Sequence, residues 1–288
     1  MSGESSSAAL PTEDGTSPRR AKKRWVARSL LPFRSWRGAV AIFVFVLAWQ
    51  AAGMIPWLLG GKIPTPLNVI DVFVNSFASD PRYWRNWAVS FERVVYGFGL
   101  AQIFGIPLGI ALGLSRATEE IVFPVFEVLR PIPPLAWVPI SILFWPTHES
   151  SIVFITFIGA FFTIVINVFD GIKNIPVRYF WLATSLGASR FKIFYRIVLP
   201  TVIPSVAVGM TLGIAITWDV LVAAEMIAGD AGLGRLTWEG YVSNTPAIVI
   251  VGMISIGIAG YISARIVDYF EGRLMPWAQH DPKLRGRR

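Results

Sequence analysis

The chain has 288 residues, of which 54% are apolar and 15% charged, with a formal net charge of +8. Ordinary soluble domains carry about 25% charged residues, so this composition excludes a fully water-exposed globule and points to burial in lipid. With no cysteine and only two histidines, His148 and His280, the chain offers no disulfide framework, no thiolate chemistry and no histidine-rich metal centre.

In chain order, residues 1–18 hold Ser, Pro and acids without an apolar stretch. This reads as a solvated tail and not as a secretory signal. Eight Lys and Arg follow between Arg19 and Arg37 and abut the first apolar segment. The expectation is a positive anchor beside anionic lipid, with 1–37 a disordered basic cytoplasmic tail and no nucleic-acid partner.

Windows free of Asp, Glu, Lys and Arg run 38–61, 94–115, 131–148, 150–169, 197–218 and 240–264. A span needs about 20 apolar residues to cross a hydrocarbon core of about 30 Å. The windows therefore predict an all-α membrane protein with six transmembrane helices over 38–275, followed by a second basic cytoplasmic tail at 276–288. With the N-terminus inside, 19 Lys and Arg fall on inside segments and four on outside segments. That bias predicts that both termini are cytoplasmic.

The second window carries Gly97, Ala101, Gly105, Gly109 and Gly113, one small residue per turn, which predicts close approach of another helix. The third holds Pro131, Pro133, Pro134 and Pro139, which no straight helix accommodates. Pro133, Pro134 and Trp137 are candidates for a transport pathway, because broken backbone at membrane depth needs cover from protein or a water-filled cavity. An interfacial turn explains the prolines equally well. Glu127 and Arg130, three apart, are expected to neutralise each other. The fifth window leads into Trp218, Asp219 and Glu225. An ionisable residue in a span faces the bundle interior or water. Asp219 is the deeper pathway candidate; Glu225, beside the 229–239 loop, reads as an interfacial acid in contact with water.

No phosphate-binding G-x-x-x-x-G-K-[ST], H-E-x-x-H or G-x-S-x-G occurs. The expectation is a chain that is not an enzyme and binds no cofactor. Residues 173–200 alternate apolar and basic side chains and predict short amphipathic helices broken at Gly187. Such a segment docks into a groove on a partner or lies on the inner leaflet.

This segment resembles the E-A-A-x-x-x-G…I-x-L-P loop of ABC-transporter permeases. Ala183, Gly187, Ile197, Leu199 and Pro200 match its second Ala, Gly, Ile, Leu and Pro, while Trp181 and Leu182 replace its Glu and first Ala. The stretches IPTPLNVI, LRPIPPLAWVPISILFW and WDVLVAAEMIAGDAGLGRLTWEG are similar to the nitrate/sulfonate/taurine/bicarbonate permease family. The resemblance implies a type I importer transmembrane domain of the methionine-permease kind in the inner membrane. It further implies two cytoplasmic ATPase subunits that hold ATP and Mg, an external substrate-binding protein and a second permease copy. It places ATPase coupling on Leu182, Ala183, Leu186, Gly187, Ala188, Phe191, Phe194 and Tyr195, as a helix from Leu182 to Tyr195. The solute it implies is a small anion such as nitrate, a sulfonate or bicarbonate. A pyrimidine-like precursor, or ion-coupled secondary transport through Asp219 and Glu225, are the alternatives.

Overall fold

The computed structural model describes residues 36–55 and 63–275; the expectations for 1–35, 56–62 and 276–288 lie outside the described residues. Helix α1 (Trp36–Gly53) buries no side chain in the chain itself, as suits a lipid-facing span. It is tied to the start of α2 (Pro66–Val72) by the Trp49 indole N–H, which donates to the Pro64 carbonyl at 3.0 Å.

Helix α3 (Pro81–Leu114) opens on an Asp80 cap and a Pro at its first position, both favourable helix starts. The Arg82 backbone N–H, joined by the Arg82 side chain, holds the Asp80 carboxyl below its ordinary pKa. The small-residue stripe of α3 packs on α6 (His148–Lys173). Gly97 meets Thr156, Gly105 meets Ile164, Gly109 meets Val168 and Gly113 meets Ile172, so α3 and α6 run parallel with backbones close together. A Cβ on Gly109 would stand 2.8 Å from the Val165 carbonyl oxygen, whereas one on Gly99, on the outer side, meets nothing within 4 Å. Gly109→Ala is therefore expected to lower the stability of the detergent-solubilised protein by about 1–3 kcal/mol, the usual range for overpacking. Gly99→Ala should be neutral or stabilising by up to about 1 kcal/mol, because Ala is the better helix former. Thermal unfolding of the two variants side by side checks the pair.

The third span is bent. Helix α4 (Arg116–Leu129) ends before Pro131, a 3-10 turn covers Pro134–Trp137, and α5 (Val138–Phe144) leaves at 87° to α4. The 131–148 window is thus no single helix; the PIPP run fixes where the backbone breaks. The side chains of Glu127 and Arg130 are both exposed and do not bond, contrary to the expected pair.

After α6, the chain forms α7 (Val177–Ser185), α8 (Arg190–Ile193), a π-helical turn over Phe194–Val198 and α9 (Leu199–Ala228). Pro200 lacks the N–H that a regular helix would donate to residue 196, and the widened turn lies immediately before it. Helix α9 runs antiparallel to α6, with Gly159 against Val220 and Gly171 against Ser205. The 229–239 stretch, expected as loop, contains most of α10 (Leu233–Val242), and the last span α11 (Pro246–Leu274) starts later than its window. Trp218 of α9 faces Gly260 of α11, and Thr211 donates to the Glu271 carboxylate near the other end of the same pair. Among the described residues, five helices are long and apolar enough to span a membrane, or six if the bent pair is counted as one span.

Candidate coupling surface and buried charge cluster

The antiparallel packing puts the 174–198 segment at one end of the bundle, beside the C-termini of α3, α6 and α11. Helix α7 ends in a Schellman motif: the Ala188 N–H donates to the Ala183 carbonyl at 3.0 Å and the Gly187 N–H to Thr184 at 2.9 Å. Gly187 sits at φ +73°, a conformation that favours Gly, and Ser189 then caps α8 through the Lys192 N–H. The helix from Leu182 to Tyr195 implied by the resemblance is therefore broken at Gly187, as the pattern of the residues alone predicted, and its second part runs on through the π-helical turn into α9.

Both sides of this segment carry apolar side chains, and the exposed side also carries Arg178, Arg190, Lys192 and Arg196. Phe180, Ile193, Phe194 and Ile197 pack inward against the cluster built on Ile172, Val198 and Val202, and Ala183 is buried. Trp181, Leu182, Leu186, Phe191 and Tyr195 point away and are 51–79% exposed. Phe191 and Tyr195 lie against each other with ring centroids 4.4 Å apart and planes tilted by 46°. Ala183 and Phe194 thus hold the segment to the bundle, while Leu182, Leu186, Phe191 and Tyr195 form an outward surface around Gly187.

At the opposite end lies a cluster drawn from α3, the start of α6, α9 and the start of α10, which no single stretch of the sequence assembles. Arg93 of α3 is 2% exposed and Glu225 of α9 fully buried. The Arg93 Nη1–H donates to Glu225 Oε1 at 2.8 Å and to the Ala231 carbonyl at 2.7 Å, and its Nε–H donates to Glu149 Oε2 at 2.8 Å. Ser90 Oγ–H donates to Glu225 Oε1 at 2.8 Å, and the Gly234 N–H to Glu225 Oε2 at 2.8 Å. The Gly232 and Leu233 N–H groups donate to Asn86 Oδ1 and Ser90 Oγ. The unpaired donors at the start of α10 are thus met by side chains of α3 and α9, and a carboxylate sits against the positive end of the α10 dipole. Gly232, at φ +127°, lets the chain pass over that carboxylate; a Cβ there would collide with its carbon and both oxygens.

Glu225 is therefore no interfacial acid in contact with water: protein groups satisfy its charge, and it lines no open space. Trp218 is also buried, at 5% exposure, and packs edge-on against Phe91. Trp137 is half-buried against the same apolar cluster. Asp219 is exposed, and its carboxylate has no hydrogen bond or ion pair among the described residues. Of the two acids, only Asp219 stays available to a pathway. The signal for the cluster was the spacing of Asn86, Ser90 and Arg93, four and three apart on one face of α3 at the edge of a charge-free window.

Residues 105–276 match the family described as "Binding-protein-dependent transport system inner membrane component". The chain is 33% identical over 282 residues to the nitrate import permease protein NrtB of Leptolyngbya laminosa, covering 92% of this chain and 98% of the relative. It is 28% identical over 263 residues to the taurine transport system permease protein TauC of Escherichia coli (strain K12), covering 90% and 94%. To the bicarbonate transport system permease protein CmpB of Synechococcus elongatus it is 35% identical over 190 residues, covering 66% and 68%. Among solved structures, an inward-facing form of the MetNI methionine ABC transporter superposes with a TM-score of 0.52 at 19% identity, covering 66% of this chain and 98% of that one, a likeness of fold. With its helical spans, its bent third span and a relative matched nearly end to end, the chain belongs to the binding-protein-dependent inner-membrane transport components and is an ABC permease of the nitrate/taurine/bicarbonate family.

Proposed function

We propose that this chain is the transmembrane subunit of an ATP-driven importer for a small anion. Two copies would form the pathway, two cytoplasmic ATPase subunits would supply ATP and Mg, and a separate binding protein would deliver the solute at the end of the bundle that carries α10. The observation that carries this reading is the outward apolar surface of Leu182, Leu186, Phe191 and Tyr195, fixed on a segment whose other side is packed into the bundle. An apolar surface with this placement fits a groove on a partner. ATP-driven closure of the partners would pull the segment and, through Phe194 and Val198, tilt α9 against α6. Substrate and ATP would thereby be linked through two states of one bundle.

In this reading both termini and the 173–200 segment are cytoplasmic. Relatives named for nitrate, taurine and bicarbonate support a small anion as solute. The test is co-expression with candidate ATPase and binding-protein subunits of the same transporter class, followed by native mass measurement and uptake into proteoliposomes. The expected result is two copies of this chain per complex and uptake that requires both ATP and the binding protein. A stable complex with a single permease chain, or uptake driven by an ion gradient without ATP, would overturn it.

A further inference from the structure

Arginine at membrane depth must meet water or a counter-charge, since a helix-centre position costs about 2.5–3.5 kcal/mol on insertion scales. Three arginines lie in or beside the spans: Arg93, Arg130 and Arg265. Arg93 is buried against Glu149 and Glu225. Arg265 has the Asp268 carboxylate at 3.9 Å. The Arg130 side chain has no hydrogen bond, ion pair or ring contact among the described residues, and it is exposed.

Packing fixes its depth. Phe123 stacks on Phe169 at 4.7 Å between ring centroids, and Phe126 lies 5.2 Å from Phe162. Arg130 is a further turn along α4, about 6 Å beyond Phe126. That places it near the middle of the charge-free 150–169 stretch of α6. Its direction follows from spacing: Phe123, Phe126 and Arg130 are three and four apart and share the face of α4 that packs on the bundle. The guanidinium therefore leaves the inner side of α4, not the outer side that carries Ile121, Val125 and Val128. Immediately beyond it the backbone breaks at Pro131 and turns by 87°, and non-helical backbone at this depth is tolerated only beside protein or a water-filled cavity.

We infer that Arg130 is the pathway cation that receives the anionic solute in mid-membrane. This rests on the anion-importer reading above. An unpaired guanidinium presents a planar fork of N–H donors, which matches the oxygens of a planar oxyanion or a sulfonate. Glu127, a turn below and unbonded through its side chain, is the neighbouring carboxylate that would limit how long the anion stays.

The test uses the complete transporter with its ATPase and binding protein in proteoliposomes, with labelled nitrate, taurine and bicarbonate as probes. Arg130→Gln should lose uptake of the transported anion at least tenfold at unchanged copy number and basal ATPase activity, and Arg130→Lys should keep at least a third. The chain has no cysteine, so Arg130→Cys adds its sole thiol, and wild type treated alike controls for thiols on the other subunits. A cationic methanethiosulfonate should label that introduced thiol and restore uptake, whereas an anionic one should label it and not restore. Wild-type uptake by Arg130→Gln, or an introduced thiol that neither reagent reaches, overturns the inference while leaving the importer reading intact. A wild-type complex that carries none of the three anions removes the anion-importer reading itself.

Discussion

Arg93→Ala is expected to cost about 3–5 kcal/mol of stability, the range for removing one partner of a buried ion pair. The loss is large because Glu225 would stay fully buried beside the α10 N-terminus without its counter-ion, and the Ala231 carbonyl would lose its donor. Glu225→Ala should cost as much, since it strands Arg93 and leaves the Gly234 N–H and the Ser90 hydroxyl without their acceptor. Glu149→Ala should cost about 1 kcal/mol or less, because its side chain is 60% exposed and water replaces it. The double variant Arg93→Ala/Glu225→Ala should lose clearly less than the sum of the two singles, because no bare charge remains buried. Thermal unfolding of the solubilised protein, read as a double-mutant cycle, checks the order. Equal effects for Glu149 and Glu225 would show that burial is not what sets the energy.

Leu186→Asp is expected to uncouple this chain from its ATPase while leaving its own fold intact. Leu186 is 79% exposed and helps hold nothing within the chain, so the substitution costs little in the isolated subunit. In a partner's groove a buried carboxylate opposes docking by at least about 2 kcal/mol, the scale of an interface hot spot, or roughly a thirtyfold loss of affinity. Gly187 acts on the same surface through the backbone. Its Cβ position is open space, so bulk alone is tolerated; the cost is the φ of +73°. Gly187→Asn should therefore keep coupling, while Gly187→Val, which resists that conformation, should turn Leu182 and Leu186 away from Phe191 and Tyr195. Co-purification of the ATPase and solute-stimulated hydrolysis are the measurements. Retained co-purification of Leu186→Asp, with weakened attachment of the segment to anionic vesicles, would instead place this surface on the inner leaflet.

By itself the sequence determined the class of molecule. Charge-free windows mark spans because every backbone polar group in lipid must be satisfied within a helix, and five of the six windows became α1, α3, α6, α9 and α11. Local chemistry also settled the α3 stripe, the break at the PIPP run and the αL glycine at 187, since each follows from a side chain's effect on its own backbone. Tertiary structure alone decided the fate of each charge. Asp219 and Glu225 are six residues apart on one helix and look alike in sequence. One is exposed and unbonded through its carboxylate, the other fully buried, because α3 brings Ser90 and Arg93, and α10 brings the Gly234 N–H, to a single side of α9. Arg93 and Arg130 part in the same way. The cost of a charge in a span depends on what surrounds it, and those surroundings come from other helices, α3 lying more than a hundred residues from Glu225 and α10 only nine, an arrangement that no local pattern encodes.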